Sequence, residues 1–103
     1  MKFGQGQKVI ITGASTGIGR AIAIELAKGG AQLGLIARRE ELLSELVNEI
    51  QTLGGKAFYR VADISDRQET LAGLTELIHC MNGIDILIAN AGVGAPTTIE
   101  PFN

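Results

Sequence analysis

The sequence predicts an α/β fold built on a parallel, doubly wound sheet. Short apolar runs, each with the character of a buried strand, alternate with segments of helical periodicity, and double glycines follow two of those segments. Strands that alternate with helices in this way need right-handed crossovers, which place successive strands parallel to each other. The expected element order is β-α-β-α-β-α-β.

The first strand is the β-branched run Val9 to Ile11, which stops at Thr12-Gly13 as a strand buried on both faces would. A helix is expected from Gly17 to Lys28, closed by Gly29-Gly30. Its apolar stripe is expected to comprise Ile18, Ala21, Ile22 and Leu26.

The second unit repeats this pattern. Leu33 to Ala37 predicts a strand, and the following apolar residues have helical spacing as far as Leu53, before Gly54-Gly55. The third strand is expected over Ala57 to Val61, where side chains alternate between the two faces.

The third helix is expected to begin at a capping box formed by Ser65 and Gln68 and to end at Asn82-Gly83. A fourth strand, Asp85 to Ala89, then leads into a glycine-rich loop, after which the sequence turns irregular. Double winding gives the strand order 3-2-1-4. Its topological switch point lies between strands one and four, where ligands bind in such sheets.

Composition argues against several other classes of protein. The net charge is −2 and the nine basic residues are scattered, so we expect no nucleic-acid partner. No apolar run is long enough to span a bilayer, and the start of the chain does not resemble a signal peptide, so we expect a cytoplasmic protein without a membrane partner. The single cysteine, Cys80, excludes an internal disulfide and is expected to be buried.

The loop after the first strand has the features of a phosphate-binding turn. Gly13 permits a tight turn, Gly17 lets the backbone approach a phosphate, and Gly19 lets the helix pack close to the sheet. A pyrophosphate would bind the free N–H groups at the helix N-terminus, and Ser15 and Thr16 would donate further hydrogen bonds.

The glycine spacing, T-G-x-x-x-G-x-G, resembles that of the short-chain dehydrogenase/reductase family, with Ile18 inside the motif. Asp63-Ile64 after the third strand and Asn90-Ala91-Gly92 after the fourth also match the family, so the resemblance covers essentially the whole chain. It implies that Asp63 accepts a hydrogen bond from adenine and that Ile64 packs on the adenine ring. It further implies that Asn90 braces the sheet and that Ala91 and Gly92 face the cofactor ribose.

The end of the second strand points to NADP as the cofactor, with NAD as the alternative. An acid at this place would bind a ribose 2′-hydroxyl, whereas an arginine would bind a 2′-phosphate. The chain has Arg38 and Arg39 there, and no acid before Glu40. The alternative interpretation is that Arg38 and Arg39 are simply a solvated basic pair without a cofactor role. Thr16 also departs from the Lys or Arg that many NADP-preferring relatives carry before the second glycine.

The family resemblance implies hydride transfer between the nicotinamide cofactor and a small-molecule carbonyl or alcohol substrate, with a Tyr-x-x-x-Lys pair as the catalytic centre. The only tyrosine, Tyr59, has Asp63 four residues later, so we assign no catalytic residue, and we assign no metal ligand. Residues 1–103 are therefore expected to be a partial Rossmann-type dinucleotide-binding domain, the N-terminal half of an enzyme, truncated before its catalytic C-terminal half and inactive alone. An exposed fourth strand would favour self-association or a homo-oligomer.

Several other functions fit parts of the sequence. A non-catalytic NADP-binding or interaction module, or half of a split enzyme, would carry the same cofactor motifs. The segment from Gly13 to Gly17 also spells G-x-S-x-G, the nucleophile elbow of α/β-hydrolases, with Asp63 and His79 following Ser15 in the right order. His79 lies inside an expected helix, however, instead of a loop after a late strand. A methyltransferase would need an acid where Arg38 stands.

Overall fold

The computed structural model describes residues 6–15, 17–90 and 97–101. Three helices and five strands lie in this part of the chain. In chain order they are β1 (Lys8–Thr12), α1 (Gly17–Lys28), β2 (Gln32–Ala37), α2 (Glu40–Thr52), β3 (Lys56–Val61), α3 (Arg67–Met81), β4 (Ile86–Asn90) and β5 (Thr97–Pro101).

The strands form one sheet in the order β3-β2-β1-β4-β5, which confirms the predicted order 3-2-1-4. The β1 strand runs parallel to both β2 and β4, and β2 runs parallel to β3. At the centre of the sheet, Ile10 lies opposite Gly34 on one side and Leu87 on the other. The carboxyl ends of the four parallel strands therefore lie along a single edge.

The fifth strand was not expected from the sequence. Thr97–Pro101 pairs antiparallel with β4, from Asn90 opposite Thr97 to Ile86 opposite Pro101. The expectation of an irregular segment was wrong because a strand at the rim of a sheet needs no continuous apolar run. The fourth strand is consequently not the rim of the sheet, and the self-association expected through it loses its structural basis.

Helices cover both faces of the sheet. The helices α1 and α2 pack on one face, while α3 packs on the other, and each face has its own hydrophobic cluster. Successive side chains of β1 point to opposite faces of the sheet, so Val9 and Ile11 belong to the first cluster and Ile10 belongs to the second. No helix in the described ranges is long and apolar enough to cross a membrane.

The buried stripe of α1 agrees with the predicted one only at Leu26 and, in part, at Ile22. Ile18 is 65% exposed and Ala21 is exposed, whereas the buried side of the helix consists of Gly19, Ala23, Leu26 and Ala27. The prediction followed the larger apolar residues. In the structure, small residues at four-residue spacing face the sheet, which allows the helix to lie close to it.

The ends of α3 are only partly as expected. Asn82 adopts the left-handed conformation with a φ of 64° and ends the helix, as predicted. At the other end, Asp66 is the N-cap instead of Ser65, and its carboxylate accepts a hydrogen bond from the Glu69 N–H at 3.1 Å. The Ser65 hydroxyl is engaged with Asp63 instead, so it does not cap the helix.

Two further expectations concerned single residues. Cys80 is exposed, not buried, because the buried line of α3 runs through Gly73, Leu77 and Met81 and leaves Cys80 beside it. The fourth strand begins at Ile86 instead of Asp85 and includes Asn90, which had been expected in the loop.

Candidate functional site

The candidate site lies at the carboxyl edge of the parallel strands. The turn from β1 to α1, the residues after β2 and the residues after β3 all begin at this edge. It therefore gathers three groups of predicted site residues that are far apart in the sequence. It is also where ligands bind in doubly wound sheets.

The turn from β1 to α1 is shaped by two glycines with positive φ, Gly13 at 69° and Gly17 at 60°. The Gly13 N–H donates a hydrogen bond to the Ile36 carbonyl at 2.7 Å, and Ala14 beside it is fully buried. The turn is thus fixed to the neighbouring strand β2. Ser15 is half-buried, and Thr16 lies outside the described residues.

The N-terminus of α1 provides a site suited to a phosphate. The first four N–H groups of a helix lack partners within the helix, and the helix dipole favours an anion there. The first turn contains no acidic residue, and a Cβ on Gly17 would meet no atom of the described residues within 4 Å, so none of them fills the space beside it. Gly19 is buried against the sheet, while Ile18 offers an exposed apolar side chain. These residues fit the pyrophosphate of a dinucleotide.

The two arginines after β2 have different surroundings. Arg39 stands at the N-cap position of α2, and its Nε donates to a Glu41 carboxylate oxygen at 3.0 Å. A hydrogen bond from its own backbone, followed by the one from Arg39, holds the pKa of Glu41 below its ordinary value. Arg38 is exposed and makes no ion pair with any residue that the structure describes. It is therefore the arginine available to a ligand anion.

Asp63 lies after β3 and carries a defined set of contacts. One of its carboxylate oxygens, Oδ1, accepts hydrogen bonds from the Ser65 hydroxyl at 2.7 Å and the Ser65 N–H at 3.0 Å. These two bonds, and then the charge of Arg38, hold the pKa of Asp63 below its usual value. The structure therefore brings Arg38 and Asp63 within electrostatic range of each other, with the half-buried Ile64 adjacent in the chain.

Asn90 is the last residue of β4, beside β1 at the same edge. Its backbone pairs with Thr97 on β5. Ala91 and Gly92, which the sequence analysis placed at the ribose, lie outside the described residues, so the structure describes only the backbone of Asn90 from this motif.

The family model for short chain dehydrogenases matches residues 7–103. The chain belongs to the short-chain dehydrogenase/reductase family. The match covers all the motifs on which the resemblance rested, and it corresponds to the N-terminal, cofactor-binding portion of these oxidoreductases.

Relatives of known name support the assignment to the short-chain dehydrogenases/reductases. The chain is 41% identical over 98 residues to the 7alpha-hydroxysteroid dehydrogenase of Escherichia coli K12, covering 95% of this chain and 37% of that protein. A short-chain type dehydrogenase/reductase from Mycobacterium marinum is similar in structure, with a TM-score of 0.81 and 36% identity over 88% of this chain and 37% of the other. The NADH-dependent reductase A1-R′, complexed with NAD, gives a TM-score of 0.78 and 36% identity over 85% of this chain and 37% of the other.

Tyr59 is not placed like a catalytic tyrosine. It lies within β3, half-buried against the core, and its hydroxyl donates to a Glu40 carboxylate oxygen at 3.2 Å. Desolvation, and then the nearby charge and hydrogen bond of Glu40, raise the pKa of Tyr59 above its ordinary value. A catalytic acid/base needs the opposite shift to work near neutral pH. Tyr59 therefore packs against the core from the sheet and bonds to α2.

The structure does not bring the three residues of the alternative hydrolase triad together. Ser15 and Asp63 lie at the carboxyl edge, where α3 also begins. His79 is exposed near the other end of α3, about 18 Å along the helix from its first residue. The three residues therefore do not come together.

Sequence reasoning missed the supporting residues around Asp63. Ser65 holds the Asp63 carboxylate, and a Glu69 carboxylate oxygen accepts the Asp63 N–H at 3.1 Å. An aspartate followed two residues later by a hydrogen-bonding partner is the pattern of an Asx turn, which would have been the available signal.

Proposed function

We propose that this chain is the NADP(H)-binding portion of an oxidoreductase that transfers hydride between NADP(H) and a small carbonyl or alcohol compound. The chain spans about a third of the length of the curated relatives that it matches, so the reaction of the whole enzyme is inferred from the family. Residues 1–103 would form one partial dinucleotide-binding domain. When bound, the nicotinamide ring supplies the site of hydride transfer.

In this proposal, each loop of the carboxyl edge binds one part of the dinucleotide. The turn from Gly13 to Gly19 would hold the pyrophosphate through the N–H groups at the start of α1 and the hydroxyls of Ser15 and Thr16. Asp63 and Ile64 would bind the adenine, Asn90 would brace the sheet, and Ala91 and Gly92 would face the cofactor ribose. Ile18 would give an apolar contact beside the pyrophosphate.

The preference for NADP rests on Arg38. Both carboxylates that follow the arginines already have partners, since Glu40 accepts from Tyr59 and Glu41 accepts from Arg39. Arg38 is left as a cation at the end of β2, where an acid would be needed to bind a 2′-hydroxyl. A charge-assisted contact with a 2′-phosphate contributes roughly 1.5–3 kcal/mol, which corresponds to a tenfold to hundredfold preference.

A second candidate is a binding module without catalysis. The sequence has one tyrosine, and Asp63 stands where the paired lysine would be. Hydride transfer therefore needs a tyrosine and a lysine that these 103 residues do not include. Both candidates require the same cofactor site, so absence of dinucleotide binding would contradict both.

The affinities of NADPH and NADH for the unmodified chain and for Arg38→Asp test the cofactor assignment. We expect the unmodified chain to bind NADPH about tenfold to a hundredfold more tightly than NADH, and Arg38→Asp to lose that preference. Lys28→Asp is the control, because it makes the same change of charge at the last turn of α1, near the opposite edge of the sheet. Equal affinity of the unmodified chain for both cofactors would overturn the assignment.

A further inference from the structure

The Asp63 side chain is oriented by a single neighbouring residue. Both hydrogen bonds from Ser65 converge on the same oxygen, Oδ1, at 2.7 Å and 3.0 Å. The other oxygen, Oδ2, accepts no hydrogen bond from any residue within the described ranges. Ser65 thus fixes which oxygen remains available to a ligand.

The backbone of this turn is held independently of the Ser65 hydroxyl. A Glu69 carboxylate oxygen accepts the Asp63 N–H at 3.1 Å, and the Asp63 carbonyl accepts the Asp66 N–H at 2.8 Å. The Thr70 hydroxyl lies 3.3 Å from the same carbonyl. Removing the Ser65 hydroxyl should therefore leave the carboxylate held only by the Ser65 N–H, free to rotate about that bond, and leave the main chain in place.

We propose that Ser65 is a positioning residue for adenine recognition, which holds the Asp63 carboxylate so that Oδ2 faces the exocyclic amino group of the bound base. This inference rests on the proposed cofactor site, because it needs an adenine beside Asp63. Ser65 acts through Asp63 and need not contact the cofactor.

The chemistry of the base explains why orientation matters. The exocyclic amino group of adenine donates a hydrogen bond, which an ionised carboxylate accepts. Hypoxanthine carries a carbonyl oxygen at that position, and this oxygen would face the carboxylate oxygen without a proton between them. A carboxylate fixed in place must reject hypoxanthine, whereas one that can rotate avoids the contact.

Asp63 should remain ionised at neutral pH when the hydroxyl is removed, although the charged groups around it act in opposite directions. Arg38 approaches from the end of β2 and favours the charged form, while Glu69 and Asp66 from the start of α3 carry the opposite charge. The Ser65 hydrogen bonds lower the pKa of Asp63 most. In Ser65→Ala the pKa should rise toward the usual value of about 3.9, which is still far below neutral pH.

The test compares the binding of NADP and of nicotinamide hypoxanthine dinucleotide phosphate to the full 103-residue chain at neutral pH. We expect Ser65→Ala to reduce the preference for the adenine cofactor by about threefold to tenfold, the factor for one lost hydrogen bond. Ser65→Thr keeps a hydroxyl and should restore the preference. Thr75→Ala, which removes an exposed hydroxyl that bonds within α3, should leave it unchanged.

The outcomes separate this inference from the proposed function. If Ser65→Ala binds NADP with unchanged preference over the hypoxanthine analogue, or binds both cofactors more weakly by the same factor, the positioning role is wrong while the cofactor site stands. If the unmodified chain binds neither dinucleotide, the proposed function fails and this inference fails with it.

Discussion

Gly13 and Gly17 allow the backbone at the β1–α1 turn to adopt angles that side-chain-bearing residues rarely adopt. Gly13 turns the chain while its N–H remains bonded to β2, and Gly17 begins the helix with a φ of 60°. For other residues this left-handed conformation costs roughly 1–2 kcal/mol. Gly17 is therefore required by the backbone, although no atom of the residues that the structure describes crowds it.

The substitution Gly17→Ala should lower both the stability and the cofactor affinity of the chain. We expect the free energy of unfolding to fall by about 1 kcal/mol because of the positive φ. NADPH affinity should fall at least about tenfold, because the new methyl group occupies the open space at the helix N-terminus. Denaturant unfolding and a binding titration would measure the two effects.

Gly54→Ala is the matched control for this prediction. Gly54 also has a positive φ, 87°, and open space around its Cβ position, but it follows α2 at the opposite edge of the sheet. It should lose similar stability and keep its NADPH affinity. Equal losses of affinity in the two variants would contradict a phosphate site at Gly17.

Residues with one dominant role were predictable from the sequence, whereas the choice between similar neighbours was not. Gly13 and Gly17 fall at positions of positive φ, where few other residues would serve. Ser65 and Asp66 are adjacent, and both residue types are good N-caps. Only the folded geometry shows that Asp66 caps α3 and that Ser65 binds Asp63.

At the level of elements, polar contacts of α2 connect it to β3 and to α1. Glu40 accepts the Tyr59 hydroxyl from β3, and Glu49 forms an ion pair with Arg20 of α1. The Arg20–Glu49 pair is nearly half exposed, so it contributes little to stability. These contacts join residues far apart in the sequence, so periodicity within one segment could not have predicted them.

The titration of Tyr59 tests the contact between α2 and β3. As the only tyrosine in a chain without tryptophan, it can be followed by ultraviolet absorbance. Its pKa should lie above the ordinary value of about 10 and should fall partway in Glu40→Gln, with desolvation still raising it. Glu45→Gln, the same change at an exposed position of α2, should not alter it.

The raised pKa of Tyr59 also predicts how the stability of the chain changes at alkaline pH. The folded chain keeps the Tyr59 proton at pH values where an unfolded tyrosine has lost it. This contribution to the free energy of unfolding is full below about pH 10 and is lost as the pH rises through the folded-state pKa. A Tyr59 pKa at or below 10 in the folded chain would show that the contact does not form.

The prediction of elements was most accurate where large apolar residues form the core. The strands β1 and β2 are buried on both faces, as their unbroken apolar runs indicated. The buried side of α1 was predicted correctly only at Leu26 and in part at Ile22, because the rest of it consists of small residues, which carry little hydrophobic signal. The β5 strand was missed because its polar residues lack the alternation of a half-buried strand.

At the level of the whole molecule, parallel topology assembles the site. Every crossover returns the chain to the amino edge of the sheet before the next parallel strand begins. The turns after β1, β2 and β3 therefore share the carboxyl edge although they are distant in sequence. This could be deduced from the element order alone. The side-chain contacts within the edge, such as that between Asp63 and Ser65, required the structure.

A titration of the isotopically labelled chain with NADP, followed residue by residue through the amide NMR signals, tests the central claim most directly. We expect the largest changes at the carboxyl edge, at Gly13, Gly17, Arg38 and Asp63. Gly30, Gly54 and Gly83, which precede strands at the amino edge, should change little. Absence of saturable changes, or changes concentrated at the amino edge, would contradict a dinucleotide site at the carboxyl edge of this sheet.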